Sequence, residues 1–341
     1  HCGDRAAVTE TRKYLIIGPS WVGDMVMAQS LFISLKRQYP DCEIDVVSPE
    51  WSLPVLERMP EVRRGLALPV AHGKFSFIKR YRLGRSLRGQ QYTHAIVLPR
   101  SWKSALVPFV AKVPVRTGYK GEMRYGLLND IRVLNKNILY QTVQRYVALG
   151  QTDSNVEPET PFPELMSDDA KRQHLLESLE LDLARPVIVM MPGAEYGPAK
   201  QWPIEYYAQL AQKLVARGYQ LWVLGSEKEC SAGDEIAAAG ADCHNLCGRT
   251  RLVDVIDLMA IAEQAVTNDS GLMHVAAATG VRVNAIYGSS TPAYTPPLTN
   301  SAEIFYKRLP CSPCFSRACK YGHYDCLKMI TPDEVFKRVL H

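Results

Sequence analysis

The sequence of 341 residues lacks any apolar run near the roughly 20 residues needed to cross a bilayer. Its first residues also lack the charged and apolar regions of a signal peptide, so we expect a cytoplasmic protein. No internal repeat or low-complexity tract is evident. Hydrophobic residues make up 47% of the chain and charged residues 22%, which is ordinary for a globular protein. Because this length exceeds one core of the usual size, we expect two domains.

Basic residues are concentrated in the first half of the chain, although the net charge is only +5. This distribution favours an anionic partner, with a solvated basic face as the alternative. We find no nucleic-acid-binding motif, which argues against nucleic acid as that partner. The cations concerned are Lys79, Arg80, Arg82, Arg85, Arg88, Arg100, Lys103, Arg116, Lys120 and Arg124.

Short apolar runs alternate with segments of helical spacing, which predicts α/β domains with parallel sheets. The predicted strands are 14–17, 43–47, 95–98, 186–191, 220–224, 264–267 and 283–287. The predicted helices are 25–38, 53–58, 80–88, 168–179, 203–217, 230–239, 252–263, 273–279 and 331–340. We therefore predict a disordered extension (1–12), an N-terminal Rossmann-like domain (13–155), a linker (156–163), a C-terminal Rossmann-like domain (164–330) and a final helix (331–341).

A strand, a polar turn and an alanine-rich helix follow one another between residues 265 and 277. Asp269 and Ser270 suit N-cap positions. The N–H groups and dipole of the following helix would bind a diphosphate, and His274 would lie one turn further along. The alternative is an ordinary strand-to-helix connection with good capping residues.

Two other predicted strand ends in the second half carry polar residues, and parallel strands bring such ends to one edge of a sheet. Lys200 lies in a loop rich in Gly and Pro and suits a phosphate, whereas Glu227 suits ribose hydroxyls. Glu195 and Asn268 lie in the same strand-end segments and are further donor-binding candidates. Surface positions without a ligand are the alternative for Lys200 and Glu227.

In the first half, Asp24 follows a turn that is not G-x-G-x-x-G and so offers no small-residue cradle for a dinucleotide. Its carboxylate could cap the first helix. Alternatively, it could face a cleft between the domains and act as the general base of an inverting glycosyl transfer, which needs one carboxylate. Cations and aromatic residues at two later strand ends suit a polyanion with sugar or apolar faces. The acceptor-binding candidates are Trp21, Arg100, Lys103, Lys120 and Arg124.

At these residues the sequence resembles the lipopolysaccharide heptosyltransferases of glycosyltransferase family 9. The segments that carry the resemblance are GPSWVGDM (18–25), PRSWKSALVP (99–108), RTGYKGEMRYGLLND (116–130), PGAEYGPAKQWP (192–203) and TNDSGLMH (267–274). The resemblance implies a two-domain GT-B fold, a metal-independent inverting transfer and an ADP-heptose donor. It also implies that the last helix crosses back to the first domain.

Site roles follow from the resemblance residue by residue. The family's catalytic carboxylate matches Asp24, its phosphate-binding lysine matches Lys200 and its ribose-binding glutamate matches Glu227. Its sugar- and diphosphate-binding turn matches Asp269, Ser270, Gly271, Leu272 and His274.

The resemblance further implies transfer of L-glycero-D-manno-heptose from ADP-heptose to the first heptose of the lipopolysaccharide inner core. The acceptor would be Kdo2-lipid A bearing one heptose, reached by peripheral contact with the cytoplasmic leaflet of the inner membrane of a Gram-negative bacterium. One alternative is transfer of the first heptose to Kdo. Another is a nucleotide-binding Rossmann protein that is not a glycosyltransferase.

Four cysteines near the C-terminus, Cys311, Cys314, Cys319 and Cys326, have the spacing C-x2-C-x4-C-x6-C. This spacing is compatible with a small zinc or iron–sulfur site. The transfer chemistry does not need such a site, and we expect reduced structural thiols and no cofactor.

Overall fold

The computed structural model describes residues 11–68 and 75–341. Contacts divide the chain into two compact units. The first unit comprises His1–Ser20, Ser30–Leu139 and Gln144–Pro161, and the second comprises Trp21–Gln29, Tyr140–Val143 and Phe162–His341. The boundary after residue 161 falls inside the segment that the sequence suggests as a linker. The predicted disordered extension lies, as far as residue 10, outside the described residues.

Each unit contains a six-stranded parallel sheet, which confirms the predicted α/β class. The strands of the first sheet are β1 Lys13–Ile17, β2 Glu43–Pro49, β3 Arg64–Leu68, β4 His94–Val97, β5 Val115–Tyr119 and β6 Asp130–Arg132. Those of the second are β7 Val187–Met191, β8 Gln220–Val223, β9 Cys243–Asn245, β10 Gln264–Asn268, β11 Arg282–Tyr287 and β12 Ala302–Tyr306. The spatial orders are β3-β2-β1-β4-β5-β6 and β12-β11-β10-β7-β8-β9, and both are the doubly wound Rossmann order.

Helices connect these strands in the described parts of the chain. Those that begin before residue 150 are α1 Val22–Gln38, α2 Leu53–Leu56, α3 Phe77–Leu87, α4 Leu106–Val110 and α5 Thr142–Ala148. Those that follow are α6 Asp169–Ser178, α7 Ile204–Ala216, α8 Cys230–Ala237, α9 Leu252–Ile261, α10 Gly271–Thr279, α11 Asp325–Lys328 and α12 Pro332–Val339. None of the described helices has the length and apolar composition required to span a membrane.

The sheet cores are built from the apolar runs visible in the sequence. Strand β7 is buried along its whole length, as expected for a central strand with helices on both faces. Helix α7 buries Tyr207, Leu210, Ala211 and Leu214 against it, at the spacing of one helical face. The central strands and their helices therefore form where the apolar periodicity predicts them.

Helix α12 packs into the core of the second unit. Val335 and Val339 are buried in the hydrophobic core of the second unit, close to Trp202 and Leu214. The carbonyl oxygen of Val339 also accepts a hydrogen bond of 2.7 Å from the Gln264 side chain. The apolar face of α12 thus completes the core of the unit that contains residues 162–341.

Candidate active site

The second sheet reverses its strand order between β7 and β10, which lie side by side. In open α/β sheets, ligands bind outside the carboxyl ends of the strands at such a reversal, because the connecting segments leave in opposite directions and open a crevice. The segments after β7 and β10 contain Lys200 and Asp269. The topology therefore brings together two of the regions that the sequence singles out.

The turn after β10 leads into α10 without side-chain capping. Ser270 is the N-cap residue, but its side chain makes no capping hydrogen bond. Asp269 does not cap the helix either, because its carboxylate points to other partners. Gly271 and Leu272 form the half-buried first turn of α10. Since neither polar side chain caps this helix, its N-terminal dipole can act on an anionic ligand.

The Asp269 carboxylate is buried and joins three segments of the second unit. It accepts hydrogen bonds from Lys200 Nζ at 3.1 Å, from the Ser290 hydroxyl and from Thr295 Oγ1 at 3.5 Å. Lys200 Nζ also lies 4.9 Å from the centre of the Tyr196 ring. One carboxylate thus holds the lysine at the carboxyl edge of the sheet.

Asn268 has a structural role that its sequence position did not reveal. Its side-chain oxygen accepts hydrogen bonds from the Trp202 backbone N–H and the Tyr207 hydroxyl. Its amide group donates to the carbonyl oxygens of Pro192 and Gly193. Because both halves of the amide are occupied, Asn268 fixes the loop before Lys200 and has no group left for the donor.

Asp24, in the first turn of α1, belongs to the second unit, together with Lys200 and Asp269. Burial raises the pKa of its carboxyl group to about 6, nearby Lys200 opposes this rise and Asp269 adds to it. The start of α1 lies close against the start of α10, since a Cβ atom on Gly23 would be 3.0 Å from the Gly271 Cα. A carboxylate with a pKa near the working pH, close to a lysine at a helix N-terminus, suits a general base.

His274 of α10 faces Gly23 of α1, since a Cβ atom on Gly23 would be 3.0 Å from the His274 Cδ2 atom. The His274 side chain is buried, and the residue is only 5% exposed. Burial lowers the pKa of its imidazole to about 4, so the ring is neutral at pH 7. Its Nδ1 atom is buried and has no hydrogen-bond partner among the described residues. Buried polar atoms are normally paired, so an unpaired nitrogen here points to a ligand or bound water.

Three glutamates near the carboxyl edge of the second sheet have different surroundings. Glu227 is exposed at the end of β8, where its side chain lies against Gly248. Glu195 is also exposed, and its Oε2 atom lies 3.6 Å from Lys228 Nζ. Glu229, which the sequence analysis did not single out, lies between the ends of β7 and β8. A Cβ atom on Gly193 would be 2.6 Å from its Oε1 atom, and only a comparison of these two loops in space reveals this position.

In the first unit, the loops after β4 and β5 bind each other at the carboxyl edge of the sheet. The Arg100 guanidinium donates to the Lys120 carbonyl oxygen at 2.7 Å, and the Arg100 carbonyl accepts from Glu122 N–H at 3.2 Å. Lys103 lies half-buried in the same loop, whereas Lys120 is exposed. This edge therefore carries three of the predicted acceptor-binding cations, but Trp21 belongs to the second unit.

Arg124 differs from the expectation that it contacts the acceptor. It is 2% exposed, and burial lowers the pKa of its guanidinium to about 10. The guanidinium donates to the carbonyl oxygens of Pro99, Ser101 and Tyr119 and to the Ser104 hydroxyl. The donors of Arg124 are therefore already used within the protein, where they hold together the loops that follow β4 and β5.

The segment 311–326, which contains the four cysteines, supports the loop before Lys200. The Arg317 carbonyl accepts a hydrogen bond of 2.9 Å from Ala199 N–H, and the Phe315 carbonyl accepts one from the Tyr196 hydroxyl. The four cysteines form no disulfide. Across residues 11–68 and 75–341, no three His, Cys, Asp or Glu side chains form a group that could hold a metal ion. The visible role of this segment is to hold the lysine loop.

Two doubly wound sheets, with a lysine and a helix N-terminus at the strand reversal of one of them, define a nucleotide-binding α/β protein of the Rossmann type. Residues 80–325 match the model of glycosyltransferase family 9 (heptosyltransferase), and the chain belongs to this family. The protein is therefore a glycosyltransferase.

The relatives of the chain carry more specific names. It is 44% identical to lipopolysaccharide heptosyltransferase 2 of Escherichia coli K12, over 96% of this chain and 97% of that protein. It is 49% identical to lipooligosaccharide heptosyltransferase 2 of Haemophilus influenzae, over 85% and 87%. The solved structure of E. coli ADP-heptose lps heptosyltransferase II matches with a TM-score of 0.85 at 42% identity, covering 96% of this chain and 97% of that one.

Proposed function

We propose that this enzyme transfers L-glycero-D-manno-heptose from ADP-heptose to the first heptose of the lipopolysaccharide inner core, with inversion at the anomeric carbon. The observation that carries the proposal is the grouping of Asp24, Lys200 and Asp269 in one unit, with the pKa of Asp24 raised to about 6. The names of the relatives reported above, and the similarity across nearly the whole chain, support this substrate pair.

The donor's diphosphate would bind Lys200 and the N–H groups at the start of α10. In the transfer, the bond between the anomeric carbon and the diphosphate breaks, and the negative charge grows on the departing ADP. A lysine and a helix N-terminus stabilise this charge without needing a metal ion. Glu227 would accept hydrogen bonds from the ribose hydroxyls, and Glu195 and His274 would border the donor.

The acceptor hydroxyl oxygen would form the new bond, and its proton would move to Asp24. This step needs an ionised carboxylate, which a pKa of about 6 provides at neutral pH. Because His274 is neutral, it adds no charge to this step, and the charged groups that take part are Asp24 and Lys200. Its unpaired Nδ1 atom can accept a hydrogen bond from a sugar hydroxyl.

We further propose that Arg100, Lys103, Lys120 and Trp21 bind the inner-core acceptor, Kdo2-lipid A bearing one heptose. The acceptor carries carboxylates and phosphates that match exposed and half-buried cations, and sugar faces that pack on an aromatic ring. Because lipid A is anchored in a membrane, the enzyme would work in the cytoplasm at the surface of the inner membrane.

Mass spectrometry of the products tests this proposal directly. The enzyme is incubated with ADP-heptose and with acceptors bearing no heptose, one heptose or two heptoses. We expect a mass increase of one heptose only with the acceptor that already bears one. Transfer to the acceptor without heptose would instead identify an enzyme that adds the first heptose to Kdo.

A thermal-shift measurement separates the glycosyltransferase from a dinucleotide-binding protein. Binding to the folded state raises its stability by mass action. We expect ADP-heptose to raise the melting temperature and NAD to leave it unchanged. A shift with NAD alone would contradict the proposed donor.

A further inference from the structure

Helix α3 presents an apolar and aromatic face to solvent. Phe77 is 52% exposed and Ile78 is 61% exposed, and Tyr81 follows one turn later on the same side. The helix is buried at Arg80, Gly84 and Leu87, where it packs on α4. The packing of the first unit therefore involves only the buried side of α3, and it does not account for the apolar residues on the exposed side.

The exposed face continues beyond the helix. The Phe75 ring, just before α3, lies 5.1 Å from the Trp102 ring, which follows β4, and both side chains are exposed. The Phe77 and Tyr81 rings stack at 6.2 Å. We name Phe75, Phe77, Ile78, Tyr81 and Trp102 the α3 surface. It reaches the loop that carries Arg100 and Lys103, so an occupant of this surface would lie beside the proposed acceptor loop.

Helix α3 carries basic residues and no acidic residue. Residues 62–121 contain no Asp or Glu. They contain thirteen cations: Arg63, Arg64, Lys74, Lys79, Arg80, Arg82, Arg85, Arg88, Arg100, Lys103, Lys112, Arg116 and Lys120. Among them, Lys79, Arg82 and Arg85 are exposed on α3 itself. These exposed rings and cations of α3 complement a surface that is anionic at its face and apolar beneath. Arg63 and Arg64 are instead paired with Asp45. Glu122 is an acidic neighbour of the α3 surface, since its Oε2 atom accepts a hydrogen bond of 3.0 Å from the Trp102 backbone N–H.

We propose that the α3 surface docks on an anionic lipid bilayer. Aromatic rings favour the headgroup level of a membrane, and a helix lying in that plane buries its apolar side while its cations contact lipid phosphates. A polyanion without an apolar layer, such as nucleic acid, would leave Ile78 and Phe77 unused. The inference rests on the proposed function insofar as a membrane-anchored acceptor gives the docking its purpose.

Vesicle co-sedimentation, with neither donor nor acceptor present, tests the docking. The full chain is mixed with phosphatidylcholine vesicles, with or without phosphatidylglycerol. The test variant is Ile78→Ser/Arg82→Glu, which removes an apolar and a cationic side chain one turn apart. The matched control is Val133→Ser/Lys136→Glu, which makes the same kinds of change at exposed positions after the edge strand β6.

We expect the wild-type chain and the control to bind the phosphatidylglycerol vesicles, and to bind less as salt is added. The affinity of the test variant for these vesicles should fall at least about tenfold, because each cation near an anionic surface and each buried apolar side chain raises the affinity several-fold. Unchanged melting temperatures would show that both variants fold. Equal binding of test and control variants, or no binding of the wild type, would overturn the proposal.

Transfer assays distinguish a failure of docking from a failure of the proposed function. With an acceptor embedded in vesicles, Ile78→Ser/Arg82→Glu should lower the rate, whereas with the same core oligosaccharide freed of its lipid the rate should match the wild type. If the variant matches the wild-type rate with both acceptors, docking and catalysis are not linked. An inactive wild type that still binds vesicles would refute the function and keep the docking.

Discussion

At the scale of single residues, the chemistry depends first on the Asp24 carboxylate. We predict that Asp24→Asn lowers turnover about 100-fold or more, which is the usual effect of removing a general base, while ADP binding is retained. Steady-state kinetics and calorimetry with ADP measure the two effects. Near-normal turnover would refute the assignment of Asp24 as the base.

The same substitution has a predictable effect on stability. Folding raises the pKa of Asp24 to about 6. The contribution of this group to the free energy of unfolding is therefore most favourable at pH values below its ordinary pKa, and it is lost as the pH rises through about 6. We therefore expect Asp24→Asn to melt at the same temperature as the wild type, or higher, at pH 7. A lower melting temperature would mean that the variant's inactivity reflects folding rather than catalysis.

The pH dependence of the reaction should report the same group. Because the base must be ionised, kcat/KM should rise with pH and level off above about pH 6, where Asp24 has lost its proton. His274 should not contribute a limb above pH 5, since burial lowers its pKa to about 4. The measurement is the pH profile of kcat/KM at low substrate concentration. A limb at pH 4 would show that Asp24 is not the titrating group.

Lys200 links donor binding to the state of the base. We predict that Lys200→Ala weakens ADP binding strongly, because it removes a charge-assisted contact in a buried site. It should also move the acid limb of the pH profile upwards, since Lys200 lowers the pKa of Asp24. Lys307→Ala is the matched control, because Lys307 pairs with Glu334 at 3.0 Å elsewhere in the same unit. Equal ADP affinity in the two variants would place the diphosphate elsewhere.

Residue identity predicted which side chains could act, but not which were already occupied. Asp24, Lys200 and Asp269 are near one another in the structure. Asn268 and Arg124 carry suitable groups, yet their hydrogen bonds are made within the protein. Such occupancy depends on loops that are distant in sequence, and no local pattern records it.

At the scale of elements, the loop before Lys200 depends on one glycine. Gly197 has a φ of +154°, and a Cβ atom there would lie 2.4 Å from the Arg317 carbonyl oxygen. We predict that Gly197→Ala displaces the loop from the segment 311–326 and lowers ADP affinity about tenfold, because Lys200 then loses its fixed position. Calorimetry with ADP measures the change.

Gly240→Ala provides a control with the same backbone requirement. Gly240 has a φ of +155°, but its added Cβ would meet only Val215 Cγ1, at 3.5 Å. Both variants should therefore lose stability through backbone strain, whereas only Gly197→Ala should weaken ADP binding. If both weaken it equally, the effect comes from general destabilisation and the loop contact is not responsible.

Elements with strong apolar periodicity were predicted, and those without it were missed. Strands β1, β7, β10 and β11 read as apolar runs and lie where expected. Strands β3 and β5, with sequences RGLAL and VRTGY, contain arginine and glycine and have exposed or half-buried positions. Their strand state is set by pairing with a neighbouring strand, which a local pattern does not show.

At the scale of the whole molecule, the sequence predicted two α/β units but not their exact membership. The segment Trp21–Gln29 follows β1 directly, yet its contacts assign it to the second unit. Helix α12 likewise completes the second core. Both outcomes depend on which surface buries an apolar face, and periodicity reveals the face but not its partner.

The assignment of donor and acceptor groups to different units leads to the last prediction. Lys120→Ala should raise the KM for the acceptor and leave the KM for ADP-heptose unchanged, because Lys120 lies in the first unit and the proposed donor-binding residues lie in the second. Added salt should have a similar effect, since the Debye length falls to about 8 Å at physiological ionic strength. Lys136→Ala, at another exposed lysine of the first unit, should change neither constant. Arg124→Ala should differ from both and lower the melting temperature, because it leaves buried carbonyl oxygens without donors. Kinetics with each substrate varied separately decides the matter: a higher donor KM in Lys120→Ala, or no change, would remove this loop from the acceptor site.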